Sequence, residues 1–408
     1  MEEPKTYDVM VAGHLCLDVI PRFLNTGKDR IEELLKPGKL VNVGPATIST
    51  GGPVSNTGIN LKTLGNRVAF CARLGEDEFG RLAQERLSDA GSAEGIRVVE
   101  GAATAYTLVI SPVGIDRIFL HCTGANDDFG PEDLDPDLIR ECRHFHFGYP
   151  PLLRRMYRDG GENLREVFRI AKEAGATTSL DMSLPDIDSE SGQVSWPAIL
   201  EKVLPHVDLF LPSVEETFLM LEPEEYGRVR QTHAAADLVE WFTPEKYREL
   251  SSRCLGYGTK AVTLKSGPRG IYLRTAGASQ WEKLSRLSVA QRESWSGREV
   301  WAPAFAVENF GSATGAGDSS IAGILTGFLR GGTLEESILT GVACGYQNVH
   351  VLDAVSGIGD WEKTCQILQA HLPQISPEIK EAGWNVDSQT RLWFGPLDAQ
   401  SARKGVAE

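Results

Sequence analysis

Short apolar runs that end in polar turns and lead into helical patterns recur along this chain, and few architectures accommodate that rhythm. Tyr7–Gly13, YDVMVAG, is a β-rich run closing on glycine, the pattern of a buried strand. Residues 68–71, 143–147 and 271–273 read as further strands, and 78–87 and 164–174 as helices. Residues 175–181, GATTSLD, are a helix stop, a strand and an acidic strand end. The rhythm recurs at 207–211, followed by the helix start Val214-Glu215-Glu216, and at 260–265, followed by Ser266-Gly267-Pro268-Arg269-Gly270. Residues 108–110 and 117–121 read as a hairpin. Alternating strands and helices are most economically a parallel sheet covered by helices. Such a sheet gathers ligand groups beyond the carboxyl ends of its strands, where these turns fall.

Composition narrows the class. The 408 residues are 41% apolar and 24% charged, which excludes collagen-like, coiled-coil and wholly disordered chains. The formal charge of -15, without a local basic patch, argues against a nucleic-acid partner. No apolar stretch approaches the roughly 20 residues of a membrane span. The acidic start MEEPKTYD runs straight into the first strand and lacks the regions of a secretory signal. Seven scattered cysteines favour free thiols in a reducing cytoplasm. Cys142, His144 and His146 would share a strand face, as zinc ligands do, but Phe145 and Phe147 between them suit a packed strand better. The polar stretch 222–253 reads as an insertion of one or two surface helices. Residues 361–408 read as a C-terminal extension whose aromatics, Trp384 and Trp393 among them, pack across the body while its last residues fray.

The segment Thr314-Gly315-Ala316-Gly317-Asp318-Ser319-Ser320 opens a helix. Its glycines let backbone approach an anion closely, and free N–H groups at a helix start can cradle a phosphate. Asp318 at that point either caps the helix or accepts a proton from an alcohol, and the local pattern leaves both open. Thr50-Gly51-Gly52-Pro53-Val54-Ser55-Asn56 is a second turn before a helix stopped at Gly65. Here Asn56 is a candidate N-cap, and Asp18, just after the first strand, a candidate turn cap. Gly13-His14-Leu15 is not a dinucleotide fingerprint, and residues 267–270 lack the ending of a P-loop.

Taken together, these motifs resemble the PfkB family of carbohydrate kinases, the ribokinase-like group. Gly51-Gly52-Pro53-Val54-Ser55-Asn56 resembles its first glycine-rich signature, Gly75-Glu76-Asp77-Glu78-Phe79-Gly80 the element that follows, and Thr314-Gly315-Ala316-Gly317-Asp318 its second signature. The resemblance implies an α/β fold: a ribokinase-like, doubly wound, mostly parallel sheet flanked by helices. The core would take residues 1–17, 51–102 and 123–360, and a small β-sheet lid 18–50 and 103–122. It implies ATP-dependent phosphorylation of a hydroxyl on a sugar or sugar-like molecule, with ATP and Mg2+ as cofactors. A nucleoside kinase, or a binding protein that retains the fold, are the other readings. By the same resemblance Asp318 is the general base, and Gly315, Ala316 and Gly317 form the anion hole. Asp18, Gly51, Gly52 and Asn56 hold the acceptor, while Lys265, Gly267, Gly270 and Ala343 shape the nucleotide site. Glu216 reaches the metal through water, with Ser213 in the place of the usual asparagine; a helix capping box is the local alternative for this pair. A glycine hairpin is the alternative for 267–270, and tight helix packing for Ala343. His14 and His121 would face the acceptor. The lid forms a dimer contact in many relatives, so a homodimer through it is expected. Ser312-Ala313 replaces the family's Asp-Thr, and Ser320 a common phenylalanine.

Overall fold

The computed structural model describes residues 5–24, 27, 30–112, 115, 118–233 and 238–400. Its strands are β1 (Tyr7–Gly13), β2 (Cys16–Phe23), β3 (Val43–Gly51), β4 (Val68–Gly75), β5 (Ser92–Val99), β6 (Tyr106–Ile110), β7 (Ile118–Cys122) and β8 (Cys142–Gly148). After these come β9 (Thr177–Asp181), β10 (Leu209–Phe210), β11 (Ala261–Lys265), β12 (Ile271–Thr275), β13 (Glu299–Ala302), β14 (Asn385–Val386) and β15 (Trp393–Phe394). Arg117, where the second arm of the expected hairpin begins, lies outside the described residues, as do residues 1–4 and the end of the extension, 401–408.

One sheet runs β14-β15-β13-β12-β11-β10-β9-β8-β1-β4-β5. From β11 to β5 every neighbouring pair is parallel; from β11 to β14 every pair is antiparallel. Val9 to Ala12 of β1 are fully buried. Val9 and Val11 belong to one apolar core, Met10 and Ala12 to another, because successive strand residues face opposite sides. The sheet is therefore covered on both faces, as its unbroken apolar strands require.

A second sheet has the order β3-β2-β6-β7. Its register sets Asp18 beside Ser49 and Thr107, and Thr107 beside His121. The adjoining row, on the opposite face, is Val19, Ile48, Leu108 and Leu120. The row holding Asp18 is thus polar, while the opposite face is mainly apolar. Asp18 lies inside β2 and caps no turn.

Two expectations need correction. The described part of 222–253 holds three helices that pack on the core, where one or two surface helices were expected. Helices Pro223–Arg230, Leu238–Trp241 and Pro244–Gly256 send Tyr226, Val229, Leu238, Tyr247, Leu250 and Cys254 into the core. The polar letters that suggested a surface run are the outer faces of amphipathic helices. The extension, besides packing Trp384 and Trp393 on the core, adds β14 and β15 to the main sheet. Strands of two residues leave too short a pattern to read. No described helix is long and apolar enough to cross a membrane.

Candidate active site

Five adjacent parallel strands, β11, β10, β9, β8 and β1, end on the same side of the main sheet. At or just past those ends stand Lys265, Ser213, Asp181, Tyr149 and His14. The helix Ala316–Leu329 begins over the same side: the Lys265 side chain passes 3.4 Å from where a Cβ on Gly317 would lie.

Gly315 is the N-cap of that helix at φ 74, and a Cβ there would stand 2.3 Å from that of Ala354. Only glycine meets both demands. Asp318, the third helical residue, is not the cap. It is 3% exposed, and three neutral donors hold its carboxylate. Asn56 Nδ2 gives a hydrogen bond of 3.0 Å, Thr57 Oγ1 one of 3.3 Å, and the Tyr149 hydroxyl lies 3.0 Å from both oxygens. Burial raises the pKa of Asp318, and Asn56, Lys265, Tyr149 and Thr57 only partly offset it. A buried carboxylate with a raised pKa is suited to taking a proton. Among the described residues the N–H groups of Gly315, Gly317 and Asp318 donate to no acceptor, as at any helix start. The Ala316 N–H donates to the Ala313 carbonyl at 3.2 Å.

Asn56 is not an N-cap. The helix Pro53–Thr63 starts from Gly52, so Asn56 lies one turn inside and its amide is free to hold Asp318. Gly52 has φ 84, and a Cβ on it would meet the His14 carbonyl at 2.5 Å; one on Gly51 would stand 2.5 Å from Asp18 Oδ2. These two glycines bring backbone against Asp18 and His14. Cys16 Sγ lies 3.6 Å from Asp18 Oδ1 and 3.8 Å from Thr107 Oγ1, and Thr107 lies 3.0 Å from His121 Nδ1. The His121 ring is 5.3 Å from that of His14, which is 6.3 Å from Tyr149. A continuous polar wall thus connects Asp18 to Asp318. Burial, then His121, lowers the pKa of His14 to about 3, and burial lowers that of His121, so both rings are neutral near pH 7.

Lys265 donates to Asp181 Oδ1 at 2.6 Å and to the Leu211 carbonyl at 2.5 Å. This ion pair holds the Lys265 head group at the strand ends. Burial alone would lower its pKa, but Asp181 and Glu216 outweigh that and keep it charged. Glu216 and Ser213 form the capping box: Ser213 N–H donates to Glu216 Oε2 at 2.6 Å, and Glu216 N–H to Ser213 Oγ at 3.1 Å. The capping box expected as the local alternative for this pair is therefore present. Burial raises Asp181 and Glu216 as well, and the charge of Lys265 partly offsets this at all three carboxylates.

Gly267 and Gly270 lie in a hairpin turn between antiparallel β11 and β12, at φ 51 and φ 90. A Cβ on Gly270 would come 2.1 Å from the Ala302 carbonyl, so the turn itself requires glycine there. Ala343 is fully buried in the core, where tight helix packing suits a small side chain. His144 and His146 bond Thr177 and Ser179, as packed strand residues do. Sequence reasoning missed Tyr149 and Thr57. Thr57 follows a glycine signature, which was a usable signal; nothing marked Tyr149 for a left-handed backbone.

The profile of the pfkB family of carbohydrate kinases matches residues 8–358. Over 137 residues the chain is 37% identical to a probable fructokinase-4 of Arabidopsis thaliana, covering 33% of this chain and 41% of that protein. The match therefore spans about two-fifths of the relative. A ribokinase of Arabidopsis thaliana complexed with ribose and ATP superposes with TM-score 0.66 at 18% identity, over 88% of this chain and 98% of that one. A putative ribokinase II of E. coli in complex with ATP and Mg2+ superposes with TM-score 0.65 at 19% identity, over 90% and 100%. The fold is ribokinase-like.

Proposed function

The chain belongs to the pfkB family of carbohydrate kinases, and on that premise we propose that it transfers the γ-phosphoryl group of ATP to a hydroxyl of a sugar or sugar-like molecule. Asp318 carries the reading: a buried carboxylate at a helix start, held by neutral donors and ion-paired to no cation among the described residues. In the reaction the acceptor oxygen bonds to the γ-phosphorus as the bond to the bridging oxygen breaks. The acceptor's proton passes to Asp318, and ADP leaves. The unoccupied N–H groups of Gly315, Gly317 and Asp318 stabilise charge on the phosphoryl oxygens, which is where catalysis of phosphoryl transfer lies. The small sheet serves as a lid that excludes water, the competing acceptor.

The polar wall of Asp18, Thr107, His121 and His14 favours a polyhydroxylated acceptor over a nucleoside base. A sugar lacking a matching hydroxyl would leave these groups unpaired. The matched relatives' name makes fructose the first candidate.

Bound Mg2+ would neutralise charge on the transferring phosphates. It fits here because, among the described residues, Lys265 is the one cation that offsets Asp181, Glu216 and Asp318, which would otherwise repel ATP. No three His, Cys, Asp or Glu side chains among the described residues form a metal cluster. The ion would therefore be held by ATP and water, as Mg2+ commonly is, with Glu216 reaching it through water. The apolar face of the small sheet, where Leu120 is 52% exposed, supports a homodimer, and the free cysteines suit a reducing cytoplasm.

The test is a coupled ADP-release screen of fructose, other hexoses, pentoses, sugar acids, polyols and nucleosides, with and without Mg2+. Mg2+-dependent turnover of a sugar or polyol supports the proposal. Turnover of nucleosides alone, or tight binding without turnover, refutes it.

A further inference from the structure

We propose that Tyr149 is a built-in substitute for the acceptor: while no acceptor is bound, its hydroxyl takes the place on Asp318 that the acceptor hydroxyl needs, and so denies the base to water. This rests on Asp318 being the base.

The phenol oxygen is equidistant, 3.0 Å, from both carboxylate oxygens, a hydroxyl facing the base as a phosphoryl acceptor must. Asn56 and Thr57 are fixed in one helix and buried. Tyr149 is the donor with a route out, since it retains some exposure and sits in the turn that follows β8. Its backbone is left-handed, φ 61 and ψ 47, a conformation that non-glycine residues adopt at a cost and that clusters at clamps and switches. Beside its ring stands His14, 2% exposed, with both ring nitrogens lacking a partner among the described residues. A buried polar ring left unpaired is unfavourable. Its hydrogen bonds await a ligand in the wall that runs from Tyr149 to Asp18.

The reaction that the substitute suppresses is hydrolysis. Water's oxygen would bond to the γ-phosphorus of ATP as the bond to the bridging oxygen breaks, releasing ADP and phosphate, with the proton going to Asp318. If Tyr149 holds Asp318 in about nine of ten acceptor-free molecules, its removal raises acceptor-free hydrolysis roughly tenfold and lowers the KM for the acceptor by a similar factor.

Tyr149→Phe removes only the hydroxyl. Tyr149→Asn also vacates the space and tolerates the left-handed backbone; it serves if the first variant folds poorly. Phosphate release from ATP plus Mg2+ is measured without acceptor, and KM with the best acceptor of the screen, fructose first. A rise of several-fold in the first and a fall in the second support the proposal. Unchanged or slower hydrolysis, a higher KM, or phosphate found by mass spectrometry on Tyr149 itself would overturn it. If the wild type turns over no acceptor, the kinase reading has failed, and the acceptor-free rate still decides the role of Tyr149.

Discussion

Replacing Asp318 by asparagine separates chemistry from architecture at the centre of the site. The substitution keeps the shape and removes the proton acceptor. General-base catalysis contributes about 10²–10⁴ in rate, so kcat/KM should fall by roughly 10³, equivalent to about 4 kcal/mol of transition-state stabilisation. Folding should be nearly untouched. The new oxygen can still accept from Asn56, while the hydroxyls of Thr57 and Tyr149 can turn to accept from the new amide, because a hydroxyl does either. The loss of charge-assisted bonds is offset by no longer burying a carboxylate near Asp181 and Glu216, leaving a net change within about 1 kcal/mol. The assay is coupled ADP release with the preferred sugar, beside urea unfolding of both proteins. A folded variant that keeps more than about a tenth of the parent kcat/KM would show that the acceptor's proton goes elsewhere.

The base works ionised, so kcat/KM should fall as pH drops through the pKa of Asp318; burial puts that limb above the range of an exposed aspartate. Thr57→Val removes a donor that favours the ionised form, so the limb should move to higher pH; a downward shift would contradict the assignment. Asp398→Ala should destabilise by about 3–5 kcal/mol, the cost of leaving a buried charge unpaired, since Arg298 and Asp398 meet at 2.9 Å with both side chains almost wholly buried. The midpoint of urea unfolding reads this, and a loss below about 1 kcal/mol would mean that Glu335, 2.6 Å from Arg298, suffices. Leu120→Lys on the apolar lid face should turn a dimer into a monomer in sedimentation equilibrium; a dimer that survives unchanged uses another surface.

The parallel core was legible because its strands are buried on both faces and ended by turns. The glycine turns ahead of both helices were legible because Gly315 and Gly52 carry backbone demands that no other residue meets, but the start of the Pro53–Thr63 helix was not. What escaped was set by distance along the chain. Asn56 looks like a cap until Asp318, 262 residues away, is seen accepting from it. The partner of Lys265, Asp181, lies 84 residues away and shows only in the folded chain. The helices within 222–253 seemed superficial because their composition is polar, although one face of each is not. Tyr149 carried no mark, since its role depends on a backbone angle that side-chain chemistry does not announce.

The placement of β15 between β13 and β14 has a consequence for biosynthesis. The strand that covers the open edge of β13 is translated some ninety residues after β13 itself. Until it emerges from the ribosome, β13 offers a bare row of amides and carbonyls to any neighbouring strand, the situation that invites aggregation. Fragments ending ahead of Trp393 should be the insoluble ones, even with every residue of the catalytic machinery in place.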